Sequence, residues 1–458
     1  MAPKFGTSGV RGLVTEMTSD LIHAYVHAFL RACDVGNMLY VGRDLRDSSP
    51  RIAEDVVKAA RAASCNVTYC GPVPTPALAL AAAQDGAGAV MITGSHIPDD
   101  RNGLKFYSCD GEITKTDEAA ILAALAEGPP RERKTSVSET DSGVNARYAA
   151  RYINAFGSEA LAGRRIGLYA HSAVGRDVLA DILTGLGAEI VELGRSEQFI
   201  PVDTEAIDVE TRRRIATWVA EHDLDALVST DGDSDRPLLA DEAGKIVPGD
   251  ILGQITAEVL GAKVVVTPVS SNSGVLQKGF ADVIRPRIGS PFVIAAMKAA
   301  GGAVAGYEAN GGFVLGFEAQ GPAGPLTPLL TRDCTLPLVT VLYAAGRGVV
   351  SALVRREPAI VTCTDRLQEV PQEKSSALIA ALTRDSEARA AFLAALGHSE
   401  AGIDLTDGLR MTLRGGAVLH LRPSGNAPEL RVYIETFNPE VASELLRGAL
   451  AELARRLI

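Results

Sequence analysis

The sequence lacks the features that mark membrane-spanning, secreted and zinc-binding proteins. None of its apolar runs approaches the ~18 residues of a membrane span, and the N-terminus has no apolar segment that would predict a secretory signal. The six cysteines are scattered without CxxC spacing, which argues against a zinc site and against a disulfide framework. We therefore expect a cytoplasmic protein with reduced thiols and no membrane partner.

Two further absences restrict the ligands. The formal net charge of −11 argues against nucleic acid as the main partner. No Walker A motif with its lysine is present, so a nucleotide donor is not indicated. An anionic small molecule is compatible with such an acidic chain if arginines and lysines gather around it.

The composition and the order of elements are typical of a multidomain α/β protein. Hydrophobic residues make up 47% and charged residues 22% of the 458 positions, which predicts a globular chain with ample core. At ~150 residues per domain, the length predicts roughly three domains or four small ones. Strands alternate with helices, which predicts an α/β layer architecture. Four successive units of roughly 100 residues each end a strand in a polar loop, where α/β sheets gather ligands.

The first of these loops follows a predicted buried strand, Ala89–Ile92. Ser95 and His96 lie just past the strand, and Asn102 and Gly103 predict that a loop continues after them. On the local sequence, Ser95 is either an ordinary turn residue or a hydroxyl presented to a ligand.

A second loop carries three closely spaced carboxylates, Asp231, Asp233 and Asp235. In an extended strand, alternate residues would lie about 6.6 Å apart, too far for a single ion. Gly232 allows the segment to curl, so that three oxygens converge on a hard cation such as Mg²⁺. An EF-hand is the specific rival, and it fails because Arg236 and a proline replace the required glycine and the flanks are predicted strands.

Three other segments offer ligands for a phosphorylated, hydroxyl-rich molecule. Arg11 ends a glycine-rich N-terminal segment that could bind an anion, and Glu308 with Asn310 suits vicinal sugar hydroxyls. A phosphate cradle is predicted near the C-terminus, formed by Arg422, Ser424, Gly425, Asn426 and Arg431. A cation, a serine hydroxyl, several arginines and a phosphate clamp together predict phosphoryl transfer on a polyhydroxylated substrate.

Five motifs in this order make the chain resemble the α-D-phosphohexomutases over nearly its whole length. Within that family it is most similar to the bacterial phosphomannomutase/phosphoglucomutase group. The motifs are FGTSGVRG (5–12), TGSHIP (93–98), DGDSDRP (231–237), YEANGGF (307–313) and RPSGNAPELRVYIE (422–435). The resemblance implies three similar α/β domains and a smaller C-terminal α+β domain around a central cleft. The implied domains are 1–145 with the phosphoserine loop, 146–258 with the metal loop, 259–358 with the sugar loop and 359–458 with the phosphate loop.

The resemblance also implies a reaction cycle. Phosphorylated Ser95 would give its phosphoryl group to a hexose monophosphate, and the resulting hexose 1,6-bisphosphate would return the other phosphate to the serine. This cycle interconverts the 1- and 6-phosphates of mannose, and also of glucose. Mg²⁺ would be held by Asp231, Asp233, Asp235 and a phosphoserine oxygen.

The resemblance assigns roles to the remaining residues. Arg11, His96 and Lys105 match positions near the reacting phosphate, and Lys105 is our candidate for general acid/base assistance. Glu308 and Asn310 would hold the sugar. Arg236, which follows the metal loop, would also bind the substrate, and the phosphate that is not reacting would be bound by Arg422, Ser424, Gly425, Asn426 and Arg431. The expected partner is a phosphosugar, and we expect a monomer or a weak homodimer.

Departures from the family pattern leave alternatives open. Ile97 replaces the usual Asn, Asn310 replaces a Ser, and Ala427 replaces a Glu. Glu-Ala-Asn-Gly also occurs in acetylglucosamine-phosphate mutases, so a glucosamine or N-acetylglucosamine phosphate mutase is the nearest alternative. A non-catalytic phosphosugar-binding protein is the alternative from another class, and a phosphatase is a lesser one.

Overall fold

The computed structural model describes residues 3–6, 9–127, 136–424 and 428–457. The chain forms two compact units, Met1–Val266 with Gly289–Arg356, and Thr267–Ile288 with Glu357–Ile458. No helix within the described ranges is both long and apolar enough to cross a membrane. All six cysteines are free thiols.

The first sheet of unit 1 is mixed and covered by helices. Its elements are β1 (Lys4–Gly6), β2 (Gly9–Leu13), α1 (Ser19–Ala32), β3 (Met38–Arg43), α2 (Ser49–Ala62), β4 (Asn66–Pro72), α3 (Thr75–Gln84), β5 (Gly88–Ile92), β6 (Arg101–Ser108), β7 (Gly111–Glu112), α4 (Lys115–Ala126) and β8 (Ser138–Thr140). The strand order is β1-β2-β6-β5-β3-β4-β8, and β7 pairs with β6. Parallel pairing of β3 with β4 and β5 follows from the helical crossovers between these strands.

One prediction in this region is wrong. The sequence predicts Asn102 and Gly103 in a loop, but they lie in β6, where Gly103 pairs with Arg11 of β2. A Cβ at Gly103 would lie 2.4 Å from the carbonyl oxygen of Val10. The glycine therefore serves the close approach of two strands rather than a turn.

The second sheet of unit 1 ends at the acidic loop. Its elements are α5 (Val144–Phe156), β9 (Arg165–Tyr169), α6 (Arg176–Gly185), β10 (Glu189–Leu193), α7 (Val209–Glu221), β11 (Ala226–Thr230), β12 (Pro237–Ala240) and β13 (Ile246–Val247). The strand order is β10-β9-β11-β12-β13. Since β11 and β12 are antiparallel neighbours, the aspartates occupy a strand-to-strand connection, as predicted, and an EF-hand is excluded.

The third segment of the chain contributes to both units. Its elements are α8 (Gly249–Val259), β14 (Val264–Val266), a 3-10 helix (Ser273–Gln277), β15 (Asp282–Ile284), α9 (Ser290–Ala300), β16 (Val304–Tyr307), β17 (Phe313–Leu315), β18 (Ala319–Gln320), β19 (Pro325–Leu326), β20 (Leu329–Asp333), α10 (Thr335–Ala344) and α11 (Val350–Val354). In unit 1 the order is β14-β16-β17-β20. The 3-10 helix and β15 belong to unit 2.

Unit 2 is built around an antiparallel sheet. Its further elements are β21 (Val361–Leu367), α12 (Gln372–Arg384), α13 (Ser386–Ala395), β22 (Glu400–Asp404), β23 (Leu409–Leu413), β24 (Val418–Pro423), β25 (Leu430–Thr436) and α14 (Pro439–Leu457). The order is β21-β25-β24-β23-β22. The apolar residues of one sheet face and of the three helices form one buried core, which includes Phe392, Val432 and Leu453.

Candidate active site

The serine loop begins where β5 ends at Ile92. Ser95 is fully buried, and its φ of 56° is left-handed, a conformation that costs a residue other than glycine about 1–3 kcal/mol. Its N–H donates to the Thr93 hydroxyl at 2.7 Å. A Cβ at Gly94 would lie 2.7 Å from the guanidinium carbon of Arg46, so this loop position requires glycine. The strained serine is typical of a functional residue that its surroundings hold in place.

The Ser95 hydroxyl connects the first loop to the second. It donates to Asp231 Oδ2 at 2.6 Å and lies 3.3 Å from His96 Nδ1. Burial, together with the charges of Arg236 and Arg11, lowers the pKa of His96, so the imidazole is neutral at pH 7. Ser95 therefore touches a carboxylate of the acidic loop and an uncharged histidine at once.

The acidic loop is curled, as the predicted metal site requires. Asp231 Oδ1 accepts the N–H groups of Asp235 at 3.1 Å and Arg236 at 3.2 Å. A Cβ at Gly232 would lie 2.8 Å from the Ser95 carbonyl oxygen. Only glycine allows the serine loop and the acidic loop to approach this closely.

The three aspartates fit a divalent cation. All are fully buried, and one oxygen from each lies within 4.8 Å of the others. Oδ1 of Asp233 and Oδ1 of Asp235 have no hydrogen-bond partner among the described residues. Burial and the charges of the other two aspartates raise the pKa of Asp231 well above its usual range. A cation would relieve this repulsion, and buried carboxylate oxygens are ligands suited to Mg²⁺.

Lys105 lies on β6, paired with Met91 of β5. Its Nζ donates to Asp233 Oδ2 at 2.5 Å and to Asp235 Oδ2 at 2.7 Å, and the residue is 2% exposed. The Thr75 hydroxyl also donates to Asp233 Oδ2, at 2.6 Å. The buried lysine therefore balances the charge of two aspartates.

Two arginines add positive charge to the same region. Burial and the neighbouring Arg236 lower the pKa of Arg11 to about 10, so its guanidinium is charged at pH 7. Arg236 approaches Asp235 Oδ1 at 3.8 Å and Asp203 Oδ1 at 3.9 Å, beyond hydrogen-bond distance. Its buried Nε has no hydrogen-bond partner among the described residues. A guanidinium in this state is suited to binding an anionic ligand.

The third loop turns tightly between β16 and β17. The Glu308 N–H donates to the Gly312 carbonyl at 3.2 Å, and the Gly311 N–H donates to the Glu308 carbonyl at 2.9 Å. Asn310 Oδ1 accepts the Gly312 N–H at 3.0 Å. The Asn310 side chain thus shapes its own loop, while the Glu308 carboxylate reaches out of the loop towards Arg332.

Arg332 at the end of β20 is a site residue that the sequence did not reveal. It donates to Asp235 Oδ2 at 2.7 Å and to Glu308 Oε2 at 3.3 Å, and it is 3% exposed. A Cβ at Gly312 would lie 2.8 Å from its side chain. Arg332 thereby joins the acidic loop to the third loop. The available signal was a charged Arg-Asp pair at the end of a strand that begins with two leucines.

The residue after Arg332 anchors this strand end. Asp333 accepts hydrogen bonds from the buried hydroxyls of Tyr148, at 2.6 Å, and Tyr152. The N–H of Thr335 also donates to it, at 2.9 Å, at the start of α10. This fully buried cluster fixes the backbone from which Arg332 extends.

In unit 2, two of the arginines that the sequence predicts to bind phosphate lie on neighbouring strands. Arg422 of β24 and Arg431 of β25 are directly opposite in the antiparallel register. Opposed like charges destabilise a sheet unless an anion or a carboxylate compensates them. Arg422 Nε donates to Asp407 Oδ2 at 3.0 Å, and Arg431 Nε lies 3.8 Å from Glu429 Oε2. The opposed pair is suited to gripping a phosphate.

The tip of the predicted phosphate loop is only partly described. The Ser424 N–H donates to the Glu429 carbonyl at 2.9 Å. Gly425 and Asn426 lie outside the described residues, so the structure gives no information on their predicted contacts.

The structure gathers most of the predicted residues within unit 1. These are Arg11, Ser95, His96, Lys105, Asp231, Asp233, Asp235, Arg236, Glu308 and Asn310, with Arg332 as an addition. Arg422, Ser424 and Arg431 lie together in unit 2. In unit 1 a buried hydroxyl meets a carboxylate cluster that fits a cation and is surrounded by cationic side chains. These are the parts that phosphoryl transfer requires.

Comparisons with known sequences identify relatives over the whole chain. The three α/β/α domains of the phosphoglucomutase/phosphomannomutase family match residues 2–132, 146–244 and 248–355. A phosphomannomutase of Sinorhizobium fredii is 45% identical over 476 residues, with 100% of both chains covered. A phosphomannomutase of Salmonella muenchen is 40% identical, covering 99% of this chain and 96% of that protein. A phosphoglucosamine mutase of Alkalilimnicola ehrlichii is 28% identical, covering 98% and 97%.

Solved structures share the fold at lower identity. A phosphoglucomutase/phosphomannomutase family protein of Burkholderia thailandensis has a TM-score of 0.79 at 21% identity, covering 98% of this chain and 96% of that chain. The N-acetylphosphoglucosamine mutase of Aspergillus fumigatus, in complex with GlcNAc-6P and magnesium, has a TM-score of 0.56 at 13% identity, with 100% and 96% covered. At these identities the likeness concerns the architecture, which is three α/β/α domains followed by a further C-terminal domain.

Proposed function

The chain belongs to the phosphoglucomutase/phosphomannomutase group of the α-D-phosphohexomutase family, and we propose that it interconverts the 1- and 6-phosphates of mannose and of glucose. The family makes the protein an isomerase that moves a phosphoryl group. The preference for mannose rests on two phosphomannomutases at 45% and 40% identity, against 28% for the phosphoglucosamine mutase.

The observation that carries the mechanism is the hydrogen bond from Ser95 Oγ to Asp231 at 2.6 Å. We place the transferable phosphoryl group on Ser95. A substrate hydroxyl attacks that phosphorus, the bond to Ser95 Oγ breaks, and a hexose 1,6-bisphosphate forms. Attack by Ser95 Oγ on the other phosphate then regenerates the phosphoenzyme and releases the isomeric monophosphate. Mg²⁺ held by the three aspartates and a phosphoserine oxygen would supply Lewis-acid stabilisation of the transferring group.

The nitrogen-bearing side chains around Ser95 have separate tasks in this proposal. His96, 3.3 Å from Ser95 Oγ, holds the serine oxygen. Lys105, buried beside the aspartates, is the candidate that takes the proton of the attacking sugar hydroxyl in the first transfer and returns a proton to the leaving sugar oxygen in the second. Arg11 and Arg236 neutralise the phosphate in transfer, as guanidinium groups do in other phosphoryl-transfer sites.

Substrate binding is divided between the two remaining loops. Glu308 and Asn310 bind sugar hydroxyls in both orientations, which a reversible 1-to-6 transfer requires. The phosphate that is not reacting is bound by the C-terminal loop, through Arg422, Ser424, Gly425, Asn426 and Arg431. The opposed arginine pair in unit 2 supports this assignment. We further propose Mg²⁺ as the cofactor, hexose 1,6-bisphosphate as the activator, and a cytoplasmic monomer or weak homodimer whose partner is a small phosphosugar.

The substrate is tested by assaying each sugar 1-phosphate with Mg²⁺ and a trace of its 1,6-bisphosphate. We expect turnover of mannose 1-phosphate and glucose 1-phosphate. Good turnover of glucosamine or N-acetylglucosamine phosphate without turnover of mannose 1-phosphate would favour the alternative that Asn310 keeps open.

The carrier is tested by intact-mass spectrometry before and after incubation with hexose 1,6-bisphosphate. We expect the mass of one phosphate to be gained by the wild type and not by Ser95→Ala. No gain in the wild type would favour a non-catalytic phosphosugar-binding protein. A gain that persists in Ser95→Ala would place the carrier elsewhere.

A further inference from the structure

A buried arginine outside the predicted site binds the backbone of the serine loop. Arg46 lies between β3 and α2, is 1% exposed and extends beneath the loop. Its two terminal nitrogens donate to four main-chain carbonyls, those of Ser95 at 2.9 Å, Ile97 at 2.6 Å, Pro98 at 2.7 Å and Arg101 at 3.0 Å. One side chain therefore satisfies carbonyl groups from Ser95 to Arg101, the first residue of β6.

The Arg46 side chain is itself fixed by a hydrogen bond to Asp44. Its Nε donates to Asp44 Oδ2 at 3.2 Å, and Asp44 Oδ1 accepts the Ser49 hydroxyl at 2.5 Å. The Asp44 N–H donates to the carbonyl of Ile92, the last residue of β5, at 2.9 Å. Arg46 is thus fixed to the same strand end from which the serine loop begins.

The guanidinium also contacts the second domain of unit 1. Its carbon lies 3.9 Å above the ring of Phe199, a stacking distance. A Cβ at Gly232 would lie 2.8 Å from that ring and 2.8 Å from the Ser95 carbonyl oxygen. Phe199 therefore contacts both Arg46 and Gly232 of the acidic loop. These contacts lie beside the hydrogen bond between Ser95 and Asp231.

We propose that Arg46 is a positioning residue for the phosphoryl carrier, an inference that rests on the proposed role of Ser95. The four carbonyl contacts hold Ser95 in its left-handed conformation, in which Oγ reaches Asp231. The contact with residue 97 is made by its carbonyl, which any residue has. This contact therefore does not depend on the side chain of Ile97, which stands where the family usually has Asn.

The variants are Arg46→Met and Arg46→Lys, with Arg176→Met as the matched control. Arg176 is a buried arginine that likewise binds carbonyls, those of His171 and Ser196, both at 2.6 Å, but it does not bind the serine loop. We measure kcat and KM for the hexose phosphate, and the single-turnover rate of Ser95 phosphorylation by hexose 1,6-bisphosphate. Amide hydrogen exchange of residues 94–101 is followed without substrate.

We expect Arg46→Met to lower kcat and the phosphorylation rate by about 10²-fold, because a displacement of about 1 Å has an effect of that size. KM should change less than about threefold, since the sugar and phosphate loops are untouched, and exchange of residues 94–101 should accelerate. Arg46→Lys should recover part of the rate, because an ammonium can donate to some of the carbonyls. Arg176→Met should leave the phosphorylation rate and the exchange of this segment within about threefold of the wild type.

Unchanged exchange of residues 94–101 in Arg46→Met would overturn the proposal, as would a change confined to KM. If Arg46→Met does not fold, Phe199→Leu removes the stacking contact without removing a hydrogen bond, and a slower phosphorylation rate at unchanged KM is still expected. A wild type that turns over no hexose phosphate would refute the proposed function instead. In that case the exchange experiment still decides whether Arg46 holds the loop.

Discussion

Arg332 allows a quantitative test of the charge arrangement in the site. Its buried guanidinium donates to Asp235 at 2.7 Å and to Glu308 at 3.3 Å. Removing one partner of a buried ion pair costs about 3–5 kcal/mol, because the charges left behind are unpaired. We expect Arg332→Met to lower the free energy of unfolding of unit 1 by about 4 kcal/mol when no divalent cation is present.

Mg²⁺ should reduce this cost. With the cation bound to the aspartates, Asp235 has another positive partner, and mainly the hydrogen bond to Glu308 is lost, at about 2 kcal/mol. The destabilisation by Arg332→Met without and with Mg²⁺ forms a thermodynamic cycle with the Mg²⁺ affinities of the wild type and the variant. The difference of about 2 kcal/mol must therefore reappear as tighter Mg²⁺ binding by the variant than by the wild type. That difference corresponds to roughly 30-fold in the dissociation constant.

Urea unfolding in EDTA and in saturating Mg²⁺ gives the loss of unfolding free energy caused by Arg332→Met in each condition. Calorimetric titration gives the Mg²⁺ dissociation constants of the wild type and the variant. Arg164→Met is the control, since Arg164 is a buried arginine that binds the carbonyls of Gly346 and Gly348 and, among the described residues, no carboxylate. Its destabilisation should be the same with and without Mg²⁺. Equal losses for Arg332→Met in both conditions, or Mg²⁺ affinity that stays the same or falls, would refute the reasoning.

Three other substitutions test separate parts of the site. Gly232→Ala places a Cβ 2.8 Å from the serine carbonyl oxygen, so we expect a kcat about 10²-fold lower; near-normal kcat would mean that the two loops need not touch. Tyr152→Phe removes a hydroxyl donor from Asp333 and should lower the free energy of unfolding, measured with urea, by about 1.5–3 kcal/mol. An unchanged free energy of unfolding would contradict the view that Asp333 accepts this hydrogen bond as a charged carboxylate. Asp407→Asn weakens the hydrogen bond that fixes the Arg422 side chain and should raise KM about tenfold. An effect on kcat alone would speak against a role of Arg422 in substrate binding.

The predictable parts of the site are those whose geometry is local. The spacing of Asp231, Asp233 and Asp235, with Gly232 between them, determines that their oxygens converge, and the structure confirms a cluster between two strands. Ser95 likewise lies three residues past the end of β5, a short apolar run that the sequence predicts to be a buried strand. In both cases the information lies within about ten residues, the range over which local sequence patterns are informative.

Contacts between distant segments could not be predicted. Arg332 meets its partner Asp235 across 97 positions, and Arg46 meets Ser95 across 49. Neither belongs to a glycine-rich or acidic motif, so nothing nearby in the sequence indicates their partners. Gly103 shows the opposite error, because an Asn-Gly pair predicts a turn while the tertiary pairing of β2 with β6 needs a residue without a side chain.

The charges of unit 1 also explain how the proposed cofactor and the phosphoserine depend on each other. Five carboxylates and four cations lie close together, namely Asp231, Asp233, Asp235, Glu308 and Glu112 with Arg11, Lys105, Arg236 and Arg332. Mg²⁺ adds two positive charges, and phosphorylation of a serine adds about −1.5 to −2. Either one alone changes the buried charge by about two units, which is costly in a site of low dielectric constant, and together the two changes nearly cancel. The phosphorylated site should therefore bind Mg²⁺ more tightly than the unphosphorylated one. By linkage, Mg²⁺ should shift the equilibrium with hexose 1,6-bisphosphate towards the phosphoenzyme.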